Sequence, residues 1–229
     1  SNTGFVTMGA AVGFASESTL ENIDSYAKLV ADAGKDNVRL VVGGAIGTIF
    51  SSETKASTAK DIKGHASFDV VNTVNTKNGA TGFIVGGVIG LTDGKNVDVA
   101  PVKVENAVNY SNFSVQATRT AGVIGTMNTF SIAEGCVNYG NISCTDVKAS
   151  NSRVAGIVSA MGNSTALKGC VNYGDVVFAV SGDKTHGYAG GVAGQTNDAN
   201  SYTYFDGCAH YGAVLSDRWF ADGDDKYMG

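Results

Sequence analysis

The sequence predicts an all-β fold, a right-handed parallel β-helix or β-solenoid of about six Gly-rich repeats. The first observation is a short apolar block that recurs at intervals of about 34 residues, with one longer interval. The second is a series of aromatic, polar and charged columns that follow each block. The third is composition: 31 of the 229 residues are Gly and only 1 is Pro, which suits neither long helices nor collagen.

The apolar block consists of small and β-branched residues around glycine, as in VGGVIG at 85–90. Short apolar runs bounded by Gly are typical of buried strands. Because a single repeat cannot bury its own apolar face, neighbouring repeats are expected to stack. The six copies of the block lie at 8–13, 42–47, 85–90, 120–125, 154–159 and 189–194.

The segment after each block aligns on an aromatic residue. Apolar positions lie six before and three after it, and a charged position lies five before it. We expect the apolar and aromatic columns to line the interior and the charged column to face water. The position four before is Gly or Asn, the types that best tolerate a positive φ. The aligned aromatic residues are Tyr26, Phe68, Tyr110, Tyr139, Tyr173 and Tyr211.

The position just before the aromatic residue is polar in every repeat. Amide side chains in such a column are expected to satisfy backbone groups between successive coils, although the same column offers groups that bind a ligand. The polar residues are Ser25, Ser67, Asn109, Asn138, Asn172 and His210.

The whole chain, 1–229, is interpreted as one solenoid domain with a C-terminal cap or tail at 216–229. Residues 20–33 alone also resemble an amphipathic helix that ends at Gly34, but the repeat columns favour strand and turn over the same residues. A six-bladed β-propeller is the alternative fold, and each repeat is short for the four strands of a blade. The repeats lie approximately at 5–34, 38–74, 81–116, 118–145, 152–179 and 187–215.

Two motifs resemble the GLUG repeat of large bacterial surface proteins. They are GGVIG at 86–90 and GCVNYG at 135–140 and 169–174. The first two repeats depart from the pattern, since Ser25-Tyr26-Ala27 and Ser67-Phe68-Asp69 replace Asn-Tyr-Gly. The resemblance implies an exported bacterial cell-surface protein with an adhesive or scaffolding role. It transfers no catalytic residues, because the motif is structural.

Charge and hydropathy exclude some classes of partner. Charged residues make up 16% of the chain and the net charge is −5, without a basic stripe, so we expect no nucleic acid partner. No apolar run reaches the roughly 18 residues of a membrane span. No signal peptide is visible, so the residues alone leave two possibilities: a protein that stays in the cytosol, or one whose sequence begins after an export signal. The resemblance to the GLUG repeat implies the second, with an extracellular or cell-surface location.

No metal, cofactor or catalytic group is expected from the cysteines and histidines. Cys136, Cys170 and Cys208 share one column with Ile23, His65 and Ala107, so small buried side chains are favoured over a disulfide or metal ladder. His65 and His210 occupy repeat columns and His186 lies in a loop. The acidic residues Asp222, Asp224 and Asp225 resemble part of a calcium loop but lack its distal Glu, so a solvated tail is favoured.

The favoured function is a non-catalytic surface adhesion module that binds a host or cell-surface protein or glycan. A polysaccharide-degrading β-helix enzyme and a passive spacer for another domain are the alternatives. Recognition is expected in insertions and at the C-terminal end, where aromatic residues gather on a rigid scaffold. The candidate binding residues are Tyr202 and Tyr204 in the last insertion and Trp219 after the last repeat, although Trp219 and Phe220 also suit a cap that closes the final coil.

Overall fold

The computed structural model describes residues 4–32, 38–71, 82–96, 98–145, 152–179, 187–196, 202–216 and 227–228. Within these residues the chain forms strands and no helix. The described residues therefore contain no helix that could cross a membrane.

Each coil of the chain contributes strands to four sides of a solenoid. The first two coils contain β1 (Gly4–Gly9), β2 (Val12–Ser16), β3 (Thr19–Ser25), β4 (Lys28–Asp32), β5 (Val38–Gly43), β6 (Ile46–Phe50), β7 (Ser57–Gly64) and β8 (Ser67–Val71). The third and fourth contain β9 (Ile84–Gly86), β10 (Ile89–Asp93), β11 (Val102–Glu105), β12 (Val108–Asn109), β13 (Phe113–Val115), β14 (Arg119–Ala121), β15 (Ile124–Met127), β16 (Ser131–Glu134), β17 (Val137–Asn138) and β18 (Ile142–Thr145).

The fifth coil contains β19 (Ser152–Ala155), β20 (Val158–Met161), β21 (Ala166–Lys168), β22 (Val171–Asn172) and β23 (Val176–Ala179). The sixth contains β24 (Gly187–Gly190), β25 (Ala193–Thr196), β26 (Tyr204–Asp206), β27 (Ala209–His210) and β28 (Val214–Ser216), and β29 (Tyr227–Met228) follows it. Residues 20–33, open between helix and strand from the sequence, form β3 and β4 as far as Asp32.

Parallel pairing between equivalent strands builds the four sides. Sheet A has the order β1-β5-β9-β14-β19-β24-β29 and sheet B the order β2-β6-β10-β15-β20-β25. Sheet C joins β3, β7, β11, β12, β16, β17, β21, β22, β26 and β27. The fourth side, which we call sheet D, consists of two separate ladders, β4-β8 and β13-β18-β23-β28. The prediction of a parallel β-solenoid is confirmed, and the parallel ladders exclude the propeller. Sheet B contains one strand from each coil, so the solenoid has six coils in the described residues, which are related by five translations along its axis.

The interior is divided into compartments because side chains alternate between the two faces of each strand. Sheets B and C enclose one apolar cluster that includes Ile46, Ile89 and Leu167. Sheets A and D enclose a second that includes Val85, Phe113 and Ile142. Sheets A and B also face each other, and Val41 and Ile84 of sheet A pack there with Leu91 of sheet B.

The glycines of the apolar block lie where the chain bends from sheet A to sheet B. A Cβ built on Gly87 would lie 2.8 Å from the side-chain Cγ of Asn109 on sheet C. Only glycine fits at this close approach, because real Cβ atoms do not come this near to other heavy atoms. Gly87 therefore makes room for the side chain of Asn109 and for the backbone carbonyl of Gly122 in the next coil, with which a Cβ would also clash.

Candidate functional site

A buried ladder of amide side chains runs along sheet C. Asn109 donates from Nδ2 to Oδ1 of Asn138 (2.7 Å), and Asn138 donates from Nδ2 to Oδ1 of Asn172 (2.7 Å). Nδ2 of Asn172 lies 2.9 Å from Nδ1 of His210. Each asparagine also donates to the backbone carbonyl two residues further on, in Ser111, Gly140 and Gly174. The predicted structural role of this column is therefore confirmed from Asn109 onwards.

The residue after each position of this column, which holds Ser25 and Gly64 in the first two coils and His210 in the last, carries an aromatic ring that stacks on the ring of the next coil. The ring centroids are 4.5 to 5.4 Å apart, and the planes of adjacent rings differ by 13° or less. We call this row the aromatic ladder, and its members are Tyr26, His65, Tyr110, Tyr139, Tyr173 and Tyr211.

The aromatic ladder lies on the outer surface of the solenoid. Its tyrosines are 45% to 71% exposed, with the highest values at the two ends, Tyr26 and Tyr211. The prediction that the aromatic column lines the interior is wrong. Because the preceding amide points into the protein, strand alternation directs the aromatic ring outwards. The repeated Asn-Tyr pair could have predicted this position, because a buried amide in a strand directs the next side chain to the outer face.

His65, and not Phe68, is the ladder member of the second coil. Gly64 is paired with Ser25 and with Asn109, which places His65 beside Tyr26 and Tyr110. The sequence alignment of this repeat was therefore shifted by three residues. Phe68 pairs with Leu29 and its ring packs against Phe113 in the compartment between sheets A and D.

Charged groups stand beside the N-terminal end of the aromatic ladder. His65 Nε2 lies 3.2 Å from Oδ1 of Asp24, and Lys28 Nζ lies 3.3 Å from Oδ2 of Asp69. All four side chains are at least partly exposed, so solvent screens these pairs and each contributes little to stability. Acidic and basic side chains therefore lie together beside this end of the aromatic ladder.

The residues selected from the sequence as binding candidates lie apart from the aromatic ladder. Tyr202 is 93% exposed, and Tyr204 is half-exposed in β26, where it pairs with Ala166 of sheet C. Neither ring is among the stacked pairs. Trp219 and Phe220 lie outside the described residues, as do Asp222, Asp224, Asp225 and His186. Tyr202 and Tyr204 stay predictions as binding residues.

The cysteine column lies mostly in the interior, as predicted. Cys136 and Cys170 are buried between sheets B and C, and Cys208 is partly exposed. The second-coil member of this column is Ile62 and not His65, which follows from the same three-residue shift. All four cysteines are free thiols, and burial raises the pKa of Cys144 to about 11. The described residues contain no group of three or more His, Cys, Asp or Glu side chains placed to hold a metal ion.

Comparison with known proteins finds no family model, curated protein or solved structure that matches the chain. The resemblance of the quoted motifs to the GLUG repeat therefore stays a prediction from the sequence.

Proposed function

We propose that this chain is a non-catalytic adhesion module of an exported bacterial protein, and that it contacts a protein partner along the aromatic ladder. The observation that carries the proposal is the row of five exposed tyrosines and one half-buried histidine along one side of the solenoid. Export and the bacterial surface enter through the resemblance to the GLUG repeat alone.

The rings of the ladder are held in place before any partner arrives. Tyr139 stacks on Tyr110 at 5.4 Å and on Tyr173 at 5.2 Å, so its side chain has little rotamer freedom left to lose. Binding that orders few side chains loses little conformational entropy, which favours affinity. Tyrosine is also enriched among the residues that dominate binding at protein interfaces.

The stacking favours a protein partner over a sugar ring stacked on a tyrosine face. Each inner ring has both faces covered by its neighbours, so solvent reaches ring edges and phenol hydroxyl groups along the ladder. Open faces remain only at Tyr26 and Tyr211, the two most exposed members. Six rungs about 4.8 Å apart extend over about 24 Å, a length that suits an ordinary protein interface.

The charges beside the ladder do not favour a strongly acidic or basic partner. The charged column of sheet C, five residues before the aromatic ladder, contains four acidic and two basic residues along the solenoid. Its members are Glu21, Lys60, Glu105, Glu134, Lys168 and Asp206. We therefore expect the phenol groups and the apolar ring edges to provide most of the interaction.

The proposal is tested by comparing two sets of variants on arrays of extracellular proteins and of glycans. The ladder variant combines Tyr110→Ala, Tyr139→Ala and Tyr173→Ala, and the control combines Tyr202→Ala with Tyr204→Ala. We expect the parent chain and the control to bind the same protein spots and the ladder variant to lose at least tenfold in affinity. Circular dichroism confirms that each variant retains its β-structure before binding is compared.

Other outcomes replace the proposal with a different function. Loss of binding in the Tyr202 and Tyr204 control alone moves the site to the last insertion. Binding of the parent to glycans and to no protein makes the partner a carbohydrate. No binding to either array leaves the passive spacer as the function.

A further inference from the structure

Two arginines lie next to each other on the face of sheet A that is turned towards sheet B, and we call the region between these two sheets the cleft. Arg119 of β14 is paired in register with Arg153 of β19, so their Cα atoms stand about 4.8 Å apart on neighbouring strands. The same column contains Ile84 in the coil before and Tyr188 in the coil after. The neighbouring residue Val154 points to the opposite side, into the compartment between sheets A and D.

The packing of the preceding coil shows what these arginines face. Ile84 of sheet A packs against Leu91 of sheet B. One coil further on, Arg119 takes the place of Ile84 and Thr126 takes the place of Leu91. Polar side chains therefore take the positions between sheets A and B that apolar side chains occupy in the earlier coil.

The cleft gathers positive charge in an acidic protein. The chain contains four arginines and has a net charge of −5, yet Arg39, Arg119 and Arg153 all lie on sheet A. All three are partly buried. Burial and then the charges of Arg153 and Arg39 lower the pKa of Arg119 to about 10, so this guanidinium stays charged at neutral pH. Burial lowers the pKa of Arg39, and the charge of Asp93 on sheet B partly opposes this effect.

Some buried hydrogen-bonding groups in the cleft have no partner among the described residues. Among the described residues, no carboxylate lies within 4.0 Å of the Arg119 or Arg153 guanidinium. The Nε atom of Arg153 and the Oγ1 atom of Thr126 are both buried, and neither has a hydrogen-bond partner among the described residues. Arg153 Cζ lies 6.0 Å from the ring centroid of Tyr188, at the outer limit of a cation–π contact.

We propose that this cleft binds an oxyanion group, a carboxylate, sulfate or phosphate, between Arg119 and Arg153. Paired guanidinium groups present parallel N–H donors that match the oxygens of such a group, and charge-assisted hydrogen bonds of this kind are among the strongest in proteins. A bound oxyanion also relieves the repulsion between two like charges held close together. The cleft is formed by sheets A and B, so this site is separate from the aromatic ladder on sheet C.

The test follows the arginine Nε–H resonances by nuclear magnetic resonance during titration of the chain with sodium sulfate, sodium phosphate or sodium acetate. Ionic strength is held constant with sodium chloride. The four arginines give four assignable signals. We expect the Arg119 and Arg153 signals to shift saturably with at least one of the three anions, and the order of the three affinities identifies the preferred oxyanion.

Variants provide the second arm of the test. Arg119→Gln and Arg153→Gln should each weaken anion binding at least tenfold. The melting temperature in sodium chloride alone should stay unchanged or rise, because each change removes the repulsion between the two arginines. The control, Lys103→Gln, removes an exposed positive charge from sheet C and should bind the anion as the parent does. Arg119→Lys keeps the charge, and it should still bind but more weakly.

The proposal is overturned if the Arg119 and Arg153 signals do not respond to any of the three anions. It is also overturned if both glutamine variants retain the affinity of the parent. A fall in melting temperature for both glutamine variants, with no anion response in the parent, assigns the pair a structural role only.

Discussion

One residue in each coil adopts a left-handed conformation at the same corner of sheet C. The φ angles lie between 53° and 63°, a region that Gly, Asn and Asp tolerate and β-branched residues do not. The sequence predicted this column as Gly or Asn, and only the second-coil member differs, being Asp61 and not Gly64. The six residues are Asn22, Asp61, Asn106, Gly135, Gly169 and Gly207.

Gly169 provides a test of this backbone requirement, because a Cβ built there meets no heavy atom within 4 Å. Any cost of substitution therefore arises from φ and not from a clash. We expect Gly169→Val to lower the free energy of unfolding by about 1–3 kcal/mol. Gly169→Asn should change it by no more than about 0.5 kcal/mol, as for an ordinary surface change. Urea unfolding measures both, with Lys168→Gln as the surface control.

Equal unfolding midpoints for Gly169→Val and Gly169→Asn would show that the corner does not require a positive φ.

At the scale of the element, the amide ladder is what ties successive strands of sheet C together. Asn138 is fully buried, accepts one hydrogen bond from Asn109 and donates to Asn172 and to the carbonyl of Gly140. Buried amide groups without partners are costly, so each member depends on its neighbours. The ladder also positions the aromatic ring that follows each amide.

Replacement of Asn138 by Ala should destabilise the protein strongly. The change leaves Nδ2 of Asn109 and Oδ1 of Asn172 without this partner in a buried site, and each such group costs about 1–3 kcal/mol. We therefore expect the free energy of unfolding, measured with urea, to fall by about 2–5 kcal/mol, because partial relaxation around the site lowers the sum of the two costs. Asn112→Ala is the matched control, because Asn112 is exposed and its Oδ1 accepts one hydrogen bond, from the backbone N–H of Asn141.

Similar losses for Asn138→Ala and Asn112→Ala would mean that the buried ladder contributes no more than an exposed contact.

Some elements were predictable from residue type, and others depended on contacts between coils. The block glycines and the Asn-Tyr pairs fix the strands, the bends and the amide ladder. The second repeat was misaligned because Gly64 looked like the left-handed glycine, whereas Asp61 takes that conformation and Gly64 pairs with Asn109. The outward position of the tyrosines was missed because aromatic rings suit both a core and a half-exposed surface.

The anion cleft was not predictable from the sequence. Arg119 and Arg153 are 34 positions apart, and only the pairing of β14 with β19 brings them together. Nothing in the local sequence distinguishes these arginines from exposed ones, since each lies among small and β-branched residues typical of a strand. Sites of this kind depend on the coil length, because one residue more or less would turn one of the two side chains to the other face.

At the scale of the whole molecule, the solenoid separates the side chains that stabilise the fold from the proposed binding surface. Its compartments are filled by apolar side chains and by the buried amides, while the aromatic ladder lies outside and contributes rings to the surface. Variation of exposed residues is therefore compatible with the fold as long as the inward columns are kept. This arrangement suits a binding module whose partner is set by one face.

The register between the second and third coils tests the account most directly, because it decides whether the aromatic ladder is continuous. In a Cys208→Ala background, the pair His65→Cys and Tyr110→Cys should form a disulfide on mild oxidation, since the two rings stack at 4.6 Å and the residues are neighbours across the strands. The control pair, Phe68→Cys and Tyr110→Cys, should not, because these positions are about three residues out of register, roughly 10 Å. Mass spectrometry of the digested protein detects the bond. A disulfide in the control pair and none in the first pair would contradict the ladder, and with it the proposed binding surface.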